Sequence, residues 1–96
     1  MIITAEIYVL SSEEGGRIKP FYVGYYANLL LDNGISTDCQ VEADKSASEM
    51  FEGGNKYVLR LKSKHPENFT DKDLQTNFII REGKRTIAVG KILSYS

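Results

Sequence analysis

The chain reads as an all-β domain, a sandwich or small barrel of about six short strands. Three observations predict this. Apolar residues recur with period two in one segment after another, turn signals separate those segments at near-regular spacing, and no amphipathic helix of useful length interrupts them. A barrel is the expected form, because closing the sheet on itself removes the edges that many short strands would otherwise expose.

In "TAEIYVL", Ala5, Ile7 and Val9 alternate with Glu6 and Tyr8, the pattern of a strand with one buried face. "SSEEGGR" follows as a loop of small, charged and glycine residues. "FYVGYYANLLL" reads as a strand rich in aromatic and branched residues, with Gly24 expected to mark a bulge or a close backbone approach. Its neighbours Tyr25 and Tyr26 must face opposite ways on a strand. Asp32-Asn33-Gly34 signals a tight turn, with Asn-Gly expected to supply positive φ. In "ISTDCQVE", Ile35, Thr37, Cys39 and Val41 share one face, with Ser36, Asp38, Gln40 and Glu42 on the other. "ADKSASEMFEGGN" is the one segment that could hold a helical turn. "KYVLRLK" places Tyr57, Leu59 and Leu61 against Lys56, Arg60 and Lys62, and His65-Pro66 ends it. "ENFTDKDLQT" is a polar connection, and "NFIIREGKRTIAVGKI" supplies the last two strands.

Ninety-six residues make one domain, residues 1–96, with one modest core. At 42% hydrophobic and 26% charged, the composition is that of an ordinary globular chain. "MIITAEIYVL" lacks a basic leader and is interrupted by Glu6, so a first strand is expected there rather than a signal peptide. Cys39 is the single cysteine and His65 the single histidine, which excludes an intramolecular disulfide and a zinc or iron–sulfur centre. Cys39 is expected as a small buried hydrophobe in a protein of the reducing cytoplasm. The net charge of −1 conceals a division: residues 1–52 carry −6 and residues 53–96 carry +5. Such a split can leave a basic patch able to meet phosphate.

Gly83-Lys84 invites a nucleotide-loop reading, but the chemistry excludes it. A P-loop needs glycine five residues before its Gly-Lys, a Ser or Thr after, and a following helix. Here those places hold Phe78, Arg85 and a strand pattern. His65 precedes a proline in a polar connection, and no serine sits in a nucleophile elbow, so no triad is in prospect. Glu13-Glu14 lacks the spaced oxygen ligands of a calcium loop. The expectation is a binding protein, neither an enzyme nor a cofactor carrier.

"AEIYVLSSEEGGRIKPFYVGY", "EMFEGGN", His65-Pro66 and "FIIREGKRTIAVGKIL" together resemble, in order, the third, C-terminal β-barrel domain of elongation factor Tu. The resemblance implies a six-stranded antiparallel Greek-key barrel. It also implies a non-catalytic module without GTPase activity, related to translation. In the family the terminal hairpin lies against the tRNA backbone, which carries a nucleic-acid-binding role onto Arg81, Glu82 and Gly83, flanked by Lys84 and Arg85. Lys84 stands where the family has a second glycine. The family's Arg-Pro-Gln is Tyr26-Ala27-Asn28 here, leaving Asn28 as a shortened stand-in for the glutamine. Ile18 replaces a histidine. In the "EEGGR" loop, Gly15 and Gly16 are expected to permit positive φ, and Arg17 to tie the loop to a carboxylate. Two partner classes follow. One is tRNA or other structured RNA, met by the hairpin with Lys56, Arg60 and Lys62 in support. The other is a protein, a GTPase domain, a translation factor or a second copy, met by an exposed apolar face.

Overall fold

The computed structural model describes residues 1–43 and 49–96. Six long or medium strands close a barrel: β1 (Ile2–Val9), β3 (Tyr26–Leu31), β4 (Ser36–Glu42), β6 (Lys56–Ser63), β7 (Asn77–Glu82) and β8 (Arg85–Tyr95). Two short strands, β2 (Phe21–Tyr22) and β5 (Met50–Phe51), pair with each other outside it. Round the barrel the order is β1-β6-β4-β3-β7-β8, every pair is antiparallel, and β8 returns to β1. The first strand therefore lies beside β6, three barrel strands further along the chain, which is the Greek-key arrangement.

Period two becomes burial directly. Ile3, Ala5, Ile7 and Val9 on β1 point inward with Ala27, Leu29 and Leu31 on β3, Cys39 and Val41 on β4, Leu59 and Leu61 on β6, and Phe78 and Ile80 on β7. Each fully buried Leu, Ile or Phe contributes about 1.5–3 kcal/mol. β8 departs from strict alternation, with Ile87 and Ala88 both buried. Its register explains this: Arg81 pairs with Thr86 and Ile80 with Ala88, so Ile87 is the extra residue of a bulge. Gly90 faces inward on the same strand. A Cβ there would stand 2.5 Å from Phe78 Cζ and 2.8 Å from Ile7 Cγ2, so the glycine makes room for the phenylalanine ring.

Several local expectations change. The segment 21–31 is two strands rather than one. Gly24, at φ 93°, serves both a turn and the expected bulge. Tyr25 N–H donates to the Tyr22 carbonyl at 3.0 Å to close a turn after β2. Gly24 N–H donates to Val41 O at 2.8 Å and Val41 N–H to Tyr25 O at 2.9 Å, so Gly24 and Tyr25 together oppose Val41. Ile35 is 38% exposed, since β4 begins at Ser36 and Ile35 closes the turn, its amide donating to Asn33 Oδ1 at 2.9 Å. Of the Asn-Gly pair only Gly34 takes positive φ. The helical turn expected near residues 43–55 lies partly outside the described residues, and its visible part, Met50–Phe51, is strand. The "SSEEGGR" loop is more ordered than its composition implies. A 3₁₀ turn at Ser12–Glu14 carries a capping box, in which Ser11 Oγ accepts from Glu14 N–H and Glu14 Oε1 from Ser11 N–H. Tyr8 donates a further bond of 2.5 Å to Glu14, which holds that carboxyl below the usual range. Only Gly15 takes positive φ. Gly16 is required by space, because a Cβ would collide with the carbonyl of Leu10.

Candidate nucleic-acid interface

β7 and β8 meet through Gly83-Lys84. Gly83 has φ 61° and Lys84 is not among the positive-φ residues, the pattern of a type II′ hairpin whose twist suits the two strands. The hairpin tip thus places a residue without a side chain beside two exposed cations, Lys84 and Arg85. Neither side chain makes a hydrogen bond or ion pair among the described residues.

Arg81 sits at the base of the tip and is directed by neutral acceptors. β3 and β7 pair in register, with Asn28 opposite Arg81 although 53 residues separate them. Asn28 Oδ1 accepts from Arg81 Nε at 3.1 Å and from Nη2 at 2.9 Å, and Ser36 Oγ accepts from Nη2 at 3.0 Å. Asn28 Nδ2 in turn donates to Asp38 at 3.0 Å. A guanidinium has five N–H donors. These bonds use Nε and Nη2, Nη1 makes none, and no carboxylate stands within ion-pair distance among the described residues. The bonds to Asn28 and Ser36 fix where the guanidinium lies.

Glu82 is occupied differently. Its carboxylate takes a 2.7 Å hydrogen bond from Tyr25 Oη and a 3.3 Å ion pair from Arg17 Nη1. The Arg17 guanidinium also lies 5.1 Å from the Tyr25 ring centroid. Burial, with the Glu82 carboxylate second, pushes the Tyr25 phenol up to about 12. The carboxylate expected for Arg17 is therefore Glu82, and the "EEGGR" loop is fastened to the terminal hairpin through it. With Glu82 cancelled by Arg17, the hairpin end keeps three formal positive charges, Arg81, Lys84 and Arg85.

Of the expected site residues, Asn28, Arg81, Glu82, Gly83, Lys84 and Arg85 form one continuous end of the barrel. The supporting cations do not all join them. β6 lies three strands from β7 in either direction, so Lys56 and Arg60 occupy the far wall. Lys62, at the end of β6, shares a row with Gln40 and Tyr26 instead. Ser36 was not foreseen. Its hydroxyl shows alternation only as an outward position, and its role depends on a partner across two strands. At the same end the stacked Phe21 and Phe51 rings, 5.1 Å apart, close the barrel beneath the β2–β5 pair. Outside them Ile18 is 87% exposed, Tyr22 56% and Met50 38%.

The family model for the elongation factor Tu C-terminal domain matches residues 1–95. The chain belongs to that family. A curated relative, the apicoplast elongation factor Tu of Plasmodium falciparum (isolate 3D7), is 34% identical over 90 residues, which cover 92% of this chain. The chain spans about a fifth (21%) of that relative's length. The elongation factor Tu C-terminal domain match runs through every barrel strand and includes both the "EEGGR" loop and the "REGKRT" hairpin that Glu82 joins. Membership makes the chain a translation-factor-like barrel. No helix among the described residues is long and apolar enough to cross a membrane.

Proposed function

We propose that this barrel is a non-catalytic binding module for structured RNA of the tRNA class, working in translation in the cytoplasm. The observation that carries the reading is Arg81, held by Asn28 and Ser36 with no ion-paired carboxylate among the described residues, on the same hairpin as Lys84, Arg85 and the bare backbone of Gly83. Phosphate oxygens are the ligands such a group of donors suits, because charge-assisted bonds to a guanidinium are the strong ones and a glycine lets the RNA backbone approach. GTP hydrolysis forms no part of the reading, since Gly83-Lys84 joins two strands and does not lead into a helix. The buried thiol of Cys39 suits a reducing compartment.

The test is fluorescence anisotropy of labelled tRNA across a salt series. Binding should weaken steeply with salt, and Arg81→Ala and Arg85→Ala should each cost about 1–3 kcal/mol. Absence of binding at low salt would reject the reading.

A second reading has its own support. The apolar group Ile18, Tyr22 and Met50, beside a groove of about 510 Å³ lined by Arg17, Lys19 and Tyr25, suits a protein partner, a translation-associated protein or a second copy. Pull-down with and without nuclease separates the two readings. A stoichiometric partner retained after nuclease and lost on Ile18→Asp supports the second.

A further inference from the structure

Tyr26 stands on the outer face of β3 and is 57% exposed, although it lies one residue from the core-packed Tyr25. Its ring is already engaged on one side, where the Lys64 ammonium lies 4.3 Å from the centroid. Two outward rows of side chains run side by side here. In one, Tyr26 is paired with Gln40 and Gln40 with Lys62. In the next, Asn28 is paired with Asp38 on one side and Arg81 on the other. The β3–β7 pairing ends at Asn28 and Arg81, and Tyr26 stands two positions before Asn28 on the same outward face of β3, with Lys64 over its ring. Asp38 is the acidic member of these rows, and its carboxylate is bonded to Asn28 Nδ2.

We infer that Tyr26 is a stacking platform for one unpaired nucleobase, with Lys64 and Arg81 taking the phosphates on its two sides. This rests on the RNA-binding reading above and narrows it from RNA in general to RNA that offers a splayed-out base. The physical reason is access. Paired bases in an A-form helix hide their faces in the stack and show a protein only phosphates and riboses, whereas loops and bulges present a whole π-face. An exposed ring flanked by cations recognises that face whatever the base. A cation held over one side of the ring keeps the ammonium in place before RNA arrives.

Two labelled probes decide it: an RNA stem closed by an unpaired loop, and the same stem as a blunt duplex, each titrated at low salt by anisotropy. The wild-type barrel should bind the looped RNA about tenfold more tightly, toward the lower end of what one base–aromatic stack supplies. Tyr26→Ala should reduce looped-RNA binding to the duplex level and leave duplex binding unchanged, while Tyr26→Phe keeps the preference. Lys64→Ala should flatten the salt dependence for the looped probe alone. Far-UV circular dichroism verifies that the variants fold, as expected for solvent-facing positions. Equal binding of the two probes by wild type, or equal loss of both in Tyr26→Ala, would overturn the platform while leaving RNA binding standing. Failure to bind either probe would overturn both.

Discussion

Replacing Glu82 by glutamine should weaken the fold and strengthen RNA binding, two effects of opposite sign from one change of atom. The Glu82 side chain is 46% exposed, so its ion pair with Arg17 belongs among surface pairs of about 0.2–1 kcal/mol. The 2.7 Å bond from Tyr25 would change from charge-assisted to neutral, a loss of about 1 kcal/mol. Together these amount to about 1–2 kcal/mol, or a fall in melting temperature of about 5–15 °C for a domain of this size. For binding, the substitution leaves Arg17 without its counter-ion and adds a fourth positive charge to the hairpin end. If Arg17 gains a phosphate, the slope of log K against log salt steepens by about 0.7–0.9. The assays are a thermal melt by circular dichroism and tRNA anisotropy at several salt concentrations. Ultraviolet titration of Tyr25 adds a check on the wiring. Its pKa should fall from about 12 and stay above the ordinary 10.0, because burial is the larger cause and survives the substitution. A variant that binds RNA more weakly at every salt concentration would refute the charge-balance argument. An unchanged melting temperature would refute the idea that Glu82 fastens the loop to the hairpin.

Asn28→Ala should leave the charge of Arg81 and remove its aim, so tRNA affinity falls severalfold while the salt slope stays constant; a changed slope would contradict this. Gly90→Ala should destabilise the barrel by about 1–3 kcal/mol in urea unfolding, since the new Cβ meets the backbone oxygen of Glu6 at 2.9 Å as well as the Phe78 ring. Adding Phe78→Leu should recover part of that loss, and strict additivity of the two would contradict the packing account. Stability should also decline in alkali. Burial, with Asp38 second, pushes Cys39 from 9.0 up to about 12, and Tyr25 rises from 10.0 to about 12. Groups with raised folded values contribute fully below their unfolded values, so stability is complete below pH 9.0 and is lost between there and about 12. Urea midpoints along an alkaline titration measure it, and a midpoint that rises over this range would contradict the sign.

The strands and their inward faces were legible from local pattern, because burial on a β-strand repeats every second residue and any stretch of seven displays it. Ala5, Ile7 and Val9, or Thr37, Cys39 and Val41, announce their side without reference to the rest of the chain. Positions where the pattern misled are those where backbone conformation outranks side-chain character: Ile35 closes a turn ahead of its strand, and Ile87 is an inserted bulge residue. The candidate site was legible only as a list. Arg81 and Asn28 could be named, but that one aims the other depends on β3 lying beside β7, a consequence of how the barrel closes. Closure likewise separated Lys56 and Arg60 from the hairpin they were expected to support, by putting β6 on the opposite wall. It also gave Glu82 to Arg17 and Tyr25, and brought Lys64 over Tyr26. A single sequence carries no direct trace of such neighbours, because charge and hydrogen bonding act over a few ångströms of space while these partners lie tens of residues apart along the chain.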